Sequence, residues 1–266
     1  MQAVLERYRA FAGTDADRDV EQPGYTIDID FLAGLTESQK NVFKAAARRW
    51  SAIITGDVPS VTIDGRTIDD ILITASGEAI DGEGGILGSA GPTNVRSRTF
   101  LPATATMRFD TADLAAMEQD GRLVDVIAHE MGHCLGIGTI WRDLGLLTGA
   151  GGADPVFSGA AAKGEYATLA GGHPAGVPVE NSGGAGTRDG HWRESTFANE
   201  MMTGFIAASG NPISRVTVAA LGDMGYTVSM TAAEPYQLPH AAAFLEAHIS
   251  LHDWEIVRPG YAVLPD

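Results

Sequence analysis

HEMGHCLGIGTIW, residues 129–141, is the stretch on which the reading of this chain turns. His129 and His133 stand four apart, so on a helix their imidazoles project from one face, one turn above the other, and can share a metal ion. Glu130 occupies the neighbouring sector, where its carboxylate can reach a water activated by that metal. Val124, Ile127, Ala128, Met131 and Leu135 supply the packing side of a helix that begins near Asp120. Gly136 suits the left-handed position at which such a helix stops. A chance pair of histidines would not bring along the apolar face, that glycine and further histidines downstream.

Catalytic zinc takes three protein ligands and keeps one position open. The chain offers His173, His191, His240, His248 and His252 for the third place. In the run HExxHxxGxxH the third histidine follows directly, but Thr139 stands at that position here. The ligand therefore comes from a later segment, and Gly136 lets the chain turn sharply toward it. His173 lies in GGHPAG, a glycine-rich setting that positions a side chain poorly. His240, His248 and His252 read as surface or packing residues on a terminal helix. Cys134 follows a ligand but faces another sector, and reads as a small buried side chain.

His191 opens HWRESTFANEMM, residues 191–202. With this segment the sequence resembles the leishmanolysin-like metzincins, whose third histidine is displaced by a long insertion into a His-Trp segment followed by an Asn/Asp-Glu-Leu-Met run. VAALGDMGY, residues 218–226, is similar to the helix beyond that run, and the resemblance extends over roughly residues 25–228. It implies His129, His133 and His191 as ligands of one catalytic Zn2+, Glu130 as general base, and Met202 as the Met-turn residue beneath the metal. The implied fold is α+β and metzincin-like: a twisted N-terminal sheet with backing and active-site helices, then an irregular C-terminal subdomain. Residues 1–136 would carry the zinc-binding helix, and residues 137–266 the third ligand and the Met-turn. The implied activity is that of a zinc-dependent endopeptidase with a polypeptide in the cleft between the two.

Trp192 and Phe197 read as packing residues that fix the His191 loop. Asp189, Glu194 and Glu200 are either hydrogen-bond partners of the imidazoles or solvated surface groups. The strand 104–109 is either the edge to which an extended substrate adds or an ordinary buried strand. One departure from the family and one from some other metzincins, which carry a tyrosine near the zinc, stand out. There is a single cysteine, where eukaryotic relatives are rich in disulfides, and no tyrosine stands two residues after Met202. A metal-stabilised binding or adhesion protein without turnover is the alternative reading, and an amidase acting on non-peptide substrates a weaker third.

The rest of the sequence supports an ordinary folded domain. Hydrophobic residues make up 44% of the 266 and charged residues 20%. Lys plus Arg number 18 against 34 Asp plus Glu, a net charge of -16. That balance disfavours nucleic acid and anionic membranes as partners. No run approaches the roughly 20 apolar residues of a membrane helix, and no signal peptide is visible. The acidic composition leans toward export with a leader absent from the chain, a cytoplasmic location being the other reading.

Strands are expected at 25–31, 61–63, 71–75 and 104–110. A helix from Thr36 to about Ile54 opens on a capping box with Gln39 and carries Val42, Phe43, Ala46, Trp50, Ile53 and Ile54 on one face. Residues 82–91 read as glycine-rich punctuation, and 145–190 as a long Gly/Ala-rich loop. Helices are expected at 111–119, at 214–224 closed by Gly225, and near 239–250. Asp110, Asp113, Asp81 and Glu83 lack an ordered ligand loop, so no Ca2+ site is assigned to them.

Overall fold

The computed structural model describes residues 3–17, 20, 22–184, 186–207, 210–239, 248–250 and 254–265. Strands β1 (Glu6–Phe11), β2 (Thr14–Asp15) and β3 (Thr26–Phe31) come first, followed by helix α1 (Glu37–Ile53). The hairpin β4 (Val61–Ile63) and β5 (Arg66–Ile68) leads into β6 (Ile71–Glu78), β7 (Gly85–Val95) and β8 (Pro102–Asp110). Helices α2 (Thr111–Gln119) and α3 (Leu123–Cys134) follow at once. Beyond them lie β9 (Leu147–Thr148), β10 (Val156–Phe157), α4 (Ala160–Ala170), β11 (Val177–Pro178), α5 (Glu194–Phe197) and β12 (Phe205–Ala207). The last elements are α6 (Arg215–Met224), a 3-10 turn (Met230–Ala232), β13 (His248–Ser250), β14 (Trp254–Val257) and β15 (Ala262–Val263).

One mixed sheet runs in the order β2-β1-β3-β6-β8-β7, and both β14 and β15 add to the outer side of β7. The pairs β3–β6 and β6–β8 are parallel, whereas β7 runs antiparallel to β8. α1 forms because its capping box is complete: the Gln39 backbone N–H donates to the Thr36 hydroxyl, and Thr36 N–H to the Gln39 side chain. Its apolar stripe buries Phe43, Ala46, Trp50 and Ile53. Phe43 meets Phe31 and Phe109 edge to face, each at 6.0 Å between ring centres. Trp50 is fully buried and its indole N–H donates to Ala128 O at 2.8 Å, which ties the backing helix to α3. That bond fixes the height of the helix that carries the histidine pair.

Several expectations need correction. Of the two readings of strand 104–109 the ordinary buried strand holds and the edge does not, since β8 is interior, flanked by β6 and β7. The stretch read as punctuation at 82–91 is largely β7, whose glycines allow close backbone approach. A Cβ on Gly88 would stand 2.0 Å from Arg108 O. The loop expected at 145–190 contains α4 and the small sheet β9-β10-β11. Val124 is 47% exposed, so the packing side of α3 is carried by Val126, Ile127, Ala128 and Met131 instead. Of the helix expected near 239–250, residues 240–247 lie outside the described set and 248–250 form a strand. His240 and His252 also lie outside it, as does the side chain of His248.

Candidate metal centre

α3 places His129 and His133 one turn apart on its inner face, and both are buried. The helix closes at Leu135, and Gly136 at φ 103 turns the chain back. That turn brings Ile137 O to 2.7 Å from His133 Nδ1, so the helix stop also orients the second imidazole. Gly138, at φ 72, carries the chain against the loop ahead of His191: a Cβ there would lie 1.9 Å from Gly190 O.

His191 sits in a frame built by its neighbours. Glu180 N–H donates to His191 O at 2.9 Å, and Trp192 N–H to Met202 O at 2.9 Å. Trp192 stacks on Trp141 at 4.8 Å and meets Phe157 edge to face at 5.6 Å. Phe197 joins the same buried aromatic cluster, in line with the packing role expected for both. The result is convergence: His129, His133 and His191 bring their Nε2 atoms to 3.0–3.1 Å of one another. They form one of two groups able to hold a metal among the described residues. The other, Asp57 with Asp69 and Asp70, has the Asp70 carboxylate occupied by Thr26 N–H and Val58 N–H. His173 is exposed and stands apart from the cluster.

The tautomers follow from the partners. Each Nδ1 faces a backbone carbonyl: His129 to Met201 O at 2.7 Å, His133 to Ile137 O at 2.7 Å, His191 to Thr187 O at 2.8 Å. A carbonyl only accepts, so each neutral ring carries its proton on Nδ1 and turns an Nε2 lone pair inward. Three inward lone pairs repel unless a cation sits among them. The donor set, three neutral imidazoles with their outer nitrogens anchored, suits zinc. Burial pushes the His129 pKa down to about 4, with Met201 O opposing and the Arg258 guanidinium assisting, so the ring stays unprotonated at neutral pH.

Glu130 lies beside this centre, its Oε1 3.9 Å from His129 Nε2. Its Oε2 is buried with no hydrogen-bond partner among the described residues. Burial pushes its pKa up to about 8, against the opposing pull of Arg258. An orphaned buried carboxylate beside three convergent nitrogens demands a chemical explanation. Cys134 is buried, and its thiol donates to Thr106 O at 3.5 Å, the small packed side chain expected.

Met202 lies against the metal helix: a Cβ on Gly132 would stand 2.7 Å from its Sδ. Met201 contributes through its carbonyl, as noted. Of the three carboxylates read either as imidazole partners or as surface groups, Asp189 and Glu200 bond other groups. Asp189 accepts from Gly151 N–H at 2.9 Å. Glu194 is partly buried, and burial raises its pKa to about 7 against the opposing hydrogen bond with Thr203. Glu200 is wholly buried and accepts from Met202 N–H, Ser214 N–H, Ser214 OH and Thr217 OH at 2.5–2.9 Å. Thr217 in turn accepts from the Trp192 indole at 2.8 Å. Glu200 thus joins the turn at Met202, the start of α6 and the His191 segment. Replacing it by Ala strands several buried donors and should cost about 3 kcal/mol of stability, read from denaturant unfolding of the zinc-loaded protein. A loss below the error of that measurement would show that the network is not the brace described.

Sequence reasoning missed Arg258. Its guanidinium donates to Gly186 O at 2.8 Å and stands 3.4 Å from both Gly138 O and His191 Nδ1. It lies 67 residues from His191 with no motif around it, so nothing local pointed there. The Asp110 carboxylate and Asp113 Oδ1 accept from backbone N–H groups of residues 80–84 and of α2.

The leishmanolysin family of peptidases, Peptidase M8, matches residues 61–246. The chain belongs to that family of metallopeptidases. No curated protein matches it. No helix among the described residues is long and apolar enough to cross a membrane.

Proposed function

We propose that the protein is a zinc-dependent endopeptidase of metzincin type, with His129, His133 and His191 holding the ion and Glu130 as general base. The observation that carries this reading is the triad of inward Nε2 atoms whose outer protons are committed to carbonyls. Zinc at that place would supply Lewis acidity toward a peptide carbonyl and bring the ionisation of a water near neutral pH. Glu130 takes the proton from the attacking water, holds it on its unpartnered Oε2, and passes it to the amine nitrogen as the peptide bond breaks. Met202 acts as the Met-turn residue, packed below the ligands and holding their helix in place. The cleft between a subdomain of residues 1–136 and one of residues 137–266 receives the polypeptide.

The test is hydrolysis of a mixed fluorogenic peptide library by the zinc-loaded chain. Turnover should fall to background when a chelator strips the metal and return with one equivalent of zinc. Stoichiometric zinc with no peptide cut would refute the reading, provided that a variant with weakened C-terminal pairing (Arg258→Ser with Leu264→Pro) is equally inert.

A further inference from the structure

The outer edge of β7 runs beside the metal centre. Gly91 in β7 is so close to Thr139, just past the metal helix, that a Cβ on it would lie 4.0 Å from Thr139 Cγ2. A free sheet edge next to a peptidase centre is where an extended chain adds through its backbone. Here that edge is filled by the chain itself. β14 pairs parallel with β7, Trp254 opposite Gly85 and Val257 opposite Ser89. β15 pairs further along, Ala262 opposite Asn94 and Val263 opposite Val95, and Leu264 N–H donates to Val95 O at 2.9 Å.

Between these two pieces, residues 258–261 leave the edge and cross to the facing loops. Pro259 Cδ sits 3.2 Å from where a Cβ on Gly91 would stand. Arg258 Nη1 sits 2.0 Å from the corresponding point on Gly190, while Arg258 bonds Gly186 O. The Tyr261 hydroxyl donates to Asp143. The crossing therefore links β7 to the loops at 138–143 and 186–190, and the latter leads directly into His191. The residues of the metal centre next to it are buried: His129 is 0% exposed, Glu130 1%, His133 3% and His191 5%. Arg258 of the crossing stands 3.4 Å from His191 Nδ1, and an extended substrate chain would need the β7 edge that the C-terminal strands fill.

We propose that residues 254–264 form an autoinhibitory strap that occupies the substrate edge of β7 and closes the metal centre. This rests on the peptidase reading above. The strap is poised to open: it is held by two short strand pairings and a few side-chain bonds, and Ala262 and Val263 are exposed. Such a segment opens locally without unfolding the rest. Displacement by a partner, or proteolytic nicking of the strap, would then free the edge for substrate.

The test uses the full zinc-loaded chain in two variants. Asn94→Cys with Ala262→Cys places thiols on paired positions of neighbouring strands, about 4.8 Å apart and within the reach of a disulfide. Cys134 is buried and does not compete. Arg258→Ser with Leu264→Pro weakens the strap by removing the guanidinium and the Leu264 donor. Two signals are read: peptide turnover, and anisotropy of a fluorescent peptide hydroxamate, which needs no catalysis. Oxidised, the locked variant should neither bind the probe nor cleave peptide, and reduction should restore wild-type behaviour. The weakened variant should bind the probe at least about tenfold more tightly and cleave at least about tenfold faster. Equal binding and turnover in the locked and reduced states, or loss of probe binding at full zinc content in the weakened variant, would overturn the strap. If the lock switches probe binding while no variant cleaves any peptide, the strap stands and the peptidase reading falls.

Discussion

Glu130→Ala, made in the Arg258→Ser/Leu264→Pro background so that the edge is free, should hydrolyse peptides about a thousandfold more slowly than its parent. Its zinc affinity should stay within about threefold, because the carboxylate is no member of the nitrogen triad. A positioned general base contributes about 10²–10⁴ in rate, and here the same group would also return the proton to the leaving amine. The loss should appear in kcat, since the carboxylate acts on the water and not on binding of the peptide. Glu130→Gln should be nearly as slow, since an amide fills the same space but cannot take up a proton. That control separates chemistry from packing. The variant should also be no less stable than its parent, since a buried carboxylate without a hydrogen-bond partner is itself a cost. Normal turnover in either variant would remove Glu130 from the mechanism and leave the water without its proton acceptor.

How far the sequence spoke depended on how local each signal was. The metal helix and α1 were legible because helical period, the capping box of Thr36 and Gln39 and the stop at Gly136 all lie within a few residues of what they determine. His191 and Met202 were visible only through a family resemblance, since their place is set by the frame of Trp192, Glu180 and Glu200. β7 was missed because the glycines its neighbours require, Gly88 among them, resemble turn residues when read alone. α4 was missed for the opposite reason. It has no side-chain cap, and Ala162 is its only buried residue, so it shows no amphipathic stripe. The partners of the three imidazoles are backbone carbonyls, which every residue possesses. Carboxylates close to the histidines in sequence are therefore no guide to those partners: Asp189 and Glu200 bond other groups. Arg258 reaches the centre only because β14 and β15 return to β7, a pairing between distant segments that no periodicity announces.

His191→Ala carries the second large effect, on metal binding. Structural zinc sites with four ligands bind with about 10–16 kcal/mol, and on that scale losing one of three nitrogens should remove about 4 kcal/mol, a thousandfold in affinity. His173→Ala should change nothing, because that side chain is exposed and apart from the cluster. The pair of variants therefore decides which downstream histidine completes the site. Competition with a chelator of known affinity gives the constants directly. Thermal unfolding gives them again through linkage, since an ion that binds only the folded chain stabilises it in proportion to the logarithm of its affinity. At a fixed excess of free zinc the wild type should gain about 4 kcal/mol more than His191→Ala, roughly 10 °C in Tm for a chain of this size. Without metal the order should tighten or reverse. The wild type then confronts three inward lone pairs 3.0–3.1 Å apart with nothing between them, and the variant has one fewer. Zinc affinity unchanged in His191→Ala, or lost in His173→Ala, would break the triad and with it the assignment of Glu130, whose role depends on a metal at that point.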